Sequence, residues 1–235
     1  MVNPANPVDS ARLLHDGAPI ATGEQAITET ASLLRAGEVV AIPTDTVYGL
    51  AAALDSASAL QAIFRIKGRD RAQTLPVLAS DGVAARLLVR KGTDMDWAVD
   101  QLLSLADRFW PGGLTVALSA RSSLPPVVVA TDGTVGIRVP DNVVARTLLG
   151  RTHGALAVTS ANRSGAAPLT DATSVVRDLS SSGLHWVLDG GPAGLAIAST
   201  VVGRAGDELI VFRHGAIPEP DLQSVWAEIV ETPGY

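Results

Sequence analysis

Apolar residues along most of this chain return either every third to fourth position or in short unbroken runs, and the two patterns take turns. Between residues 24 and 213 that alternation predicts helices exchanging with short, largely buried strands. The first helix takes Thr22 as N-cap with Gln25 three positions on, carries Ala26, Ile27, Thr30, Ala31, Leu33 and Leu34, and ends at Gly37. A strand over 38–42 follows it directly. A second helix over 56–67, capped by Asp55 or Ser56, presents Leu60, Ile63, Phe64 and Ile66 and stops at Gly68. Next come a strand over 75–79, a helix from 81 to about 90, and an amphipathic helix over 96–110 halted by Pro111-Gly112-Gly113. Further strands are expected over 114–119, 134–139, 155–159, 185–188, 200–203 and 208–212, and helices over 142–149, 171–179 and 220–229. The pattern predicts one α/β domain over 21–235 with helices on both sheet faces, after a flexible leader, 1–20, rich in Pro, Asn and Asp.

Composition narrows the chemistry. With 47% hydrophobic and 18% charged residues, the 235-residue chain has the apolar material to bury a full core and too little charge to stay disordered. It contains no apolar run of membrane-spanning length, and its start lacks the basic and apolar parts of a signal peptide, so a cytoplasmic protein without membrane contact is expected. The absence of cysteine removes disulfides, thiol nucleophiles, iron–sulfur clusters and the usual structural zinc sites; four scattered histidines without a His-Glu-x-x-His pattern give no reason to expect a metal site. A net charge of −6 argues against a surface that coats nucleic acid, while leaving room for a local basic site. Arginine supplies 16 of the 18 cations, which sets Lys67 and Lys91 apart.

Three loops that follow strands are unusual, and strand ends are where open α/β sheets bind ligands. Thr44-Asp45-Thr46-Val47-Tyr48 packs two hydroxyls, a carboxylate and a phenol into five residues; an ordinary turn, with Tyr48 filling the core, explains it equally well. In Arg65-Ile66-Lys67-Gly68-Arg69-Asp70-Arg71 four cations alternate at a helix end. The helix dipole accounts for Arg65 and Lys67, whereas Arg69 and Arg71 beyond the glycine would share a face in an extended segment and suit a polyphosphate. Ser160-Ala161-Asn162-Arg163-Ser164-Gly165 offers hydroxyl, amide and backbone donors to an anion, or else makes a plain Asx or Ser turn. There is no P-loop, no G-x-G-x-x-G after a strand and no G-x-S-x-G elbow. Residue chemistry thus points to a polyphosphate-binding cleft of uncommon design.

Seven motifs in order carry a resemblance: Pro43-Thr44-Asp45-Thr46-x-Tyr48-Gly49-Leu50, Lys67-x-Arg69, Trp110-Pro111-Gly112-x-Leu114-Thr115, Arg138-Val139-Pro140, Ser160-x-Asn162-x-Ser164-Gly165, Asp189-Gly190-Gly191 and Ser199-Thr200. Over roughly 24–215 the chain resembles the YrdC-like threonylcarbamoyl-AMP synthase family. The resemblance implies a single-domain, twisted, open mixed sheet and a nucleotidyltransferase that joins L-threonine, bicarbonate or CO2, and ATP into threonylcarbamoyl-AMP with release of pyrophosphate. A downstream tRNA-modifying transferase complex would take the product to tRNA. By the same resemblance Lys67, Arg69, Ser160 and Asn162 are catalytic; Thr44, Arg138 and Ser160 bind threonine or carbonate; and Lys67, Arg69, Asn162, Thr170, Ser199 and Thr200 bind ATP, which brings Mg²⁺ with it. Ala198 stands where many relatives carry Glu, and Gln73-Thr74-Leu75 replaces a frequent Asn-Pro-Leu. Because the chain runs about twenty residues past His214-Gly215, the short, catalytic-domain-only form is expected. The competing expectation is an RNA-binding, ribosome-maturation protein of the same fold without catalysis. Weak RNA contact fits either, although no aromatic is interleaved among Arg65–Arg71 to stack on bases.

Overall fold

The computed structural model describes residues 12–13, 19–92 and 96–231. In chain order these form β1 (Arg12–Leu13), β2 (Pro19–Ala21), α1 (Gly23–Arg35), β3 (Val40–Ile42), β4 (Gly49–Ala53), α2 (Ala57–Lys67), β5 (Val77–Ala79), α3 (Gly82–Arg86) and α4 (Asp96–Phe109). There follow β6 (Leu114–Ser119), β7 (Thr134–Arg138), α5 (Val143–Gly150), β8 (Ala155–Ser160), α6 (Ala172–Leu179), β9 (Val187–Leu188), β10 (Thr200–Ala205), β11 (Glu208–Arg213) and α7 (Glu219–Glu231). The remainder of the expected leader, residues 1–11 and 14–18, lies outside the described residues.

All eleven strands join one sheet in the order β1-β2-β9-β3-β4-β8-β5-β7-β6-β10-β11. It is mixed, as expected: β5 runs parallel to β7 and β6 to β10, while β4 and β5 lie antiparallel to β8 between them. Alternate residues of each central strand feed two separate cores. Ala41, Leu50, Ala52, Val77 and Ala157 join the larger core, with residues of α2, α4, α6 and α7. Val40, Ile42, Ala51, Leu78 and Leu156 join the smaller one, with α1 and α5. Helices therefore cover both faces, but unequally. Strands β6, β7, β10 and β11 contribute to the larger core alone, so the face that α1 and α5 cover over β3, β4 and β8 runs out bare across those four.

Local chemistry sets most helix ends. Ser56, Asp81, Asn142 and Asp171 each accept a backbone N–H three residues on, and Gly68 closes α2 in the left-handed region with φ of 62°. Thr22 occupies the N-cap of α1, yet its side chain accepts no bond, so the expected capping box is not made. The third helix ends at Arg86 rather than near 90, because Val89 bridges Ala120 and the Arg90 N–H bonds the Ser119 carbonyl, drawing 88–90 onto the edge of β6. Strand β4 was not foreseen. Its sequence Gly-Leu-Ala-Ala-Ala has weak strand preference, and complete burial between β3 and β8 overrides that preference.

Candidate active site

Where the smaller core stops, the bare sheet face holds a cleft of about 120 Å³. Three arginines converge on it from separate elements: Arg69 after α2, Arg138 at the end of β7 and Arg213 at the end of β11. Arg138 donates from Nε to the Gly112 carbonyl at 2.8 Å and from Nη1 to Thr46 Oγ1 at 2.7 Å, and it forms a buried ion pair with Asp45 Oδ1. The other oxygen of that carboxylate, Asp45 Oδ2, is buried without a partner. Arg213 holds the Ser199 carbonyl at 2.8 Å and the Ser199 hydroxyl at 2.9 Å, and Thr115 Oγ1 lies 2.8 Å from that hydroxyl. Arg69 donates to the Thr74 carbonyl at 3.0 Å and to Thr159 Oγ1 at 3.3 Å, leaving its Nε buried and unpartnered.

Burial pushes the pKa of all three guanidiniums below its ordinary value, and the charge of Arg213 presses further on Arg69 and Arg138. Among the described residues only Asp45 pairs with one of the three, and it is spent on Arg138. Buried like charges held together without counter-ions are costly unless an anion arrives, and planar forks suit carboxylate and phosphate oxygens.

Lys67 faces a different environment. Its Nζ lies 2.6 Å from the Ser160 carbonyl, 3.1 Å from Ser160 Oγ, 2.8 Å from Asn162 Oδ1 and 3.0 Å from the Asn162 carbonyl. Three N–H bonds thus sit in a cage of four oxygens. Burial, with Arg69 adding to it, lowers the ammonium to about 8. The Asn162 amide is fully engaged as well, donating to the Ala166 carbonyl at 2.6 Å and the Arg163 carbonyl at 3.0 Å. Lys67 and Asn162 together shape the turn after β8, and Ser160 is the member that reaches the cleft.

In the first polar loop Thr44 Oγ1 accepts the N–H of Thr46 at 3.2 Å and of Val47 at 3.3 Å, and donates to the Val47 carbonyl at 2.6 Å. Tyr48 is fully buried, its hydroxyl 2.9 Å from Asp189 Oδ1 and 2.8 Å from the Gly191 carbonyl. Burial holds that phenol well above its ordinary range, so Tyr48 is a core residue that also pins the Asp189-Gly190-Gly191 turn.

Thr44, Arg69, Arg138, Ser160 and Ser199 of the expected residues line the cleft; Lys67 and Asn162 stand behind Ser160. Two expected ATP contacts are placed elsewhere. Thr200 is fully buried, with its hydroxyl bonded to the carbonyl and N–H of Ile217 at 2.7 and 2.9 Å. Thr170 is not among the lining residues, and its carbonyl accepts the Ala193 N–H at 2.8 Å. Nor do Arg69 and Arg71 share a face: after the left-handed turn at Gly68, Arg69 goes inward beside the buried Lys67, while Arg71, like Arg65, stays exposed. Sequence reasoning missed Arg213 and Thr115. Arg213 ends a strand two residues before a glycine, as Arg138 ends one two residues before a proline, and that shared position was the available signal. Among the described residues no group of three acidic or His side chains could cage a metal.

The profile of a family named Sua5_yciO_yrdC, described as telomere recombination, matches residues 32–215. A threonylcarbamoyl-AMP synthase of Bacillus subtilis is 36% identical over 207 residues, covering 88% of this chain and 58% of that protein. A putative threonylcarbamoyl-AMP synthase of Mycobacterium tuberculosis is 34% identical over 199 residues, covering 85% of this chain and 88% of that protein. Of solved structures, Pyrococcus abyssi Sua5 complexed with L-threonine is similar with a TM-score of 0.78 at 29% identity, over 87% of this chain and 59% of that one. Escherichia coli YciO shares the fold, with a TM-score of 0.70 at 22% identity over 81% of this chain and 89% of that one. Against relatives such as those of Bacillus subtilis and Schizosaccharomyces pombe, the chain spans just over half their length, 58% and 55%.

Proposed function

Because the chain belongs to the Sua5/YciO/YrdC family, we propose that it makes threonylcarbamoyl-AMP from L-threonine, bicarbonate or CO2, and ATP, as a nucleotidyltransferase that releases pyrophosphate. The carrying observation is the convergence of Arg69, Arg138 and Arg213 on a cleft otherwise lined largely by hydroxyls. The reaction needs two anions, a carbamate and a polyphosphate, brought together. Threonine amine and bicarbonate give the carbamate and water. A carbamate oxygen then bonds to the α-phosphorus of ATP as the bond to the departing pyrophosphate breaks. Little covalent chemistry falls to the protein, so positioning and neutralisation carry the rate.

In this reading Arg69 and Arg213 meet the phosphates, Arg138 and Thr44 meet the threonine carboxylate or the carbonate, and Ser160 stands between them. Lys67 and Asn162 hold Ser160 in place. Mg²⁺ enters with the nucleotide; among the described residues no carboxylate lines the cleft and Asp45 is paired with Arg138 behind it, which suits an ion that keeps its waters and its phosphates. The product passes to a tRNA-modifying transferase, which places the activity in the cytoplasm with ATP and tRNA. Arg69, Arg138 and Arg213 lie in the cleft rather than along a surface, and this favours the synthase over the RNA-binding reading.

Incubating the full chain with ATP, Mg²⁺, bicarbonate and threonine, omitting each in turn, tests this. Pyrophosphate should appear only when all are present. Release that ignores threonine, or no release from any mixture alongside firm tRNA binding, overturns the proposal.

A further inference from the structure

Strands β6 and β10 pair in parallel from Leu114↔Thr200 to Val116↔Val202, and there the ladder stops, although β6 continues to Ser119 and β10 to Ala205. The strands fork, and a cavity of about 450 Å³ occupies the fork. None of its lining residues lines the arginine cleft.

Arg204, on the β10 arm, is the unusual member. Its side chain is only 7% exposed, and its guanidinium lies 4.0 Å from the centroid of the Trp97 ring. Nη2 meets Asp207, itself 79% exposed, at 2.5 Å, but Nε and Nη1 are buried with no hydrogen-bond partner. A buried charge with two idle N–H-bearing nitrogens is expensive to keep. Most of the charge here is uncompensated, since a single pair to an exposed carboxylate returns little. The other cation at the cavity, Arg90, is exposed; Asp132 caps Thr134 by accepting its N–H and hydroxyl at 3.0 and 2.7 Å. The rest of the wall is flat or aliphatic: Trp97, Leu102 and the Phe212 ring, which is 60% exposed and lies over Gly203.

We propose that this fork is a second binding site, for a small anion joined to a flat apolar body: the oxyanion on Arg204 and the body between Trp97 and Phe212. An oxyanion would satisfy the idle N–H groups, and an aromatic body would cover the apolar part of the wall. The indole stacked on Arg204 keeps the guanidinium plane fixed, so little order is lost on binding.

Benzoate and phenyl phosphate serve as probes, with benzyl alcohol and inorganic phosphate as body-only and charge-only controls. Titrations by calorimetry on the full chain, alone and with ATP, Mg²⁺ and threonine, should show both probes saturating at millimolar or lower concentration, unaffected by the nucleotide mixture. Arg204→Met keeps the stem on Trp97 while removing the charge; it should weaken both probes at least tenfold and leave the melting temperature unchanged or higher. Trp97→Leu should weaken them as well. The proposal is overturned if neither probe saturates, if inorganic phosphate binds as tightly as phenyl phosphate, or if Arg204→Met melts early with its binding intact. It is overturned too if the nucleotide mixture or Arg69→Ala abolishes probe binding, because the probes then sit in the arginine cleft.

Discussion

At the scale of single residues, the cleft separates side chains that meet ligand from side chains that hold others. Asn162 belongs to the second kind. Replacing it with Ala takes the side-chain donor from the Ala166 carbonyl, leaves the Arg163 carbonyl with the Ala166 N–H alone, and takes one oxygen from Lys67. Unmade buried or half-buried bonds of this sort cost about 1–3 kcal/mol, so the ligand-free Asn162→Ala protein should melt about 2–12 °C early. Unchanged melting with a lost response to ATP would instead put the amide on the nucleotide. Lys67 gives a direct reading of its cage. The chain has two lysines, so ¹³Cε labelling yields two signals, and the one missing in Lys67→Met should titrate near 8. Between about 8 and the unfolded value of 10.5, the unfolded chain holds a proton that the folded chain has shed, so this group makes the fold more stable as pH rises through that window. A midpoint at the ordinary lysine value would mean that four oxygens outweigh burial. Lys67, Arg69, Ser160 and Asn162 were legible as a group through the family resemblance, since the residue pattern alone gave two separate polar loops, at the ends of α2 and β8. Their division of labour was not, since whether a cation points into a cleft or into a cage depends on the left-handed turn at Gly68 and on partners about 93 residues away.

At the scale of elements, the cleft depends on how close the segment after β11 comes to the start of β10. A Cβ on Gly215 would lie 2.3 Å from the Ala198 carbonyl oxygen and 2.5 Å from the Ser199 carbonyl carbon, both of them backbone atoms with nowhere to move. Gly215→Ala should therefore push Ser199 and Arg213 apart and lower both melting temperature and turnover, with overpacking of this kind costing about 1–3 kcal/mol. Retention of both would show that the segment slides freely. Sequence periodicity located most helices and strands within a few residues, because caps such as Ser56, Asp81, Asn142 and Asp171 and the glycine after α2 are local signals. It failed at β4 and at the end of α3. An alanine run becomes a strand only by being enclosed between β3 and β8, and residues 88–90 leave the helix only because β6 offers an edge; both causes lie far away in sequence.

At the scale of the whole molecule, a chain of net charge −6 concentrates positive charge in one recess. Binding of a polyanion there should be strongly stabilising. ATP with Mg²⁺ at a hundred times its dissociation constant adds about 2.7 kcal/mol, which for a chain of this length is a rise in melting temperature of about 5–10 °C. Arg213→Met should lose most of that rise while melting near the wild type without ligand; an undiminished rise would remove Arg213 from the nucleotide. The sheet face that α1 and α5 leave bare has one more consequence. Behind the recess lie the strands and the larger core, so ligand reaches it from the sheet face rather than through the core. In the proposed reaction, reactants and product would therefore use that one side in opposite directions: the next nucleotide would wait until the last product had left, and whatever collects that product would approach over the same bare face.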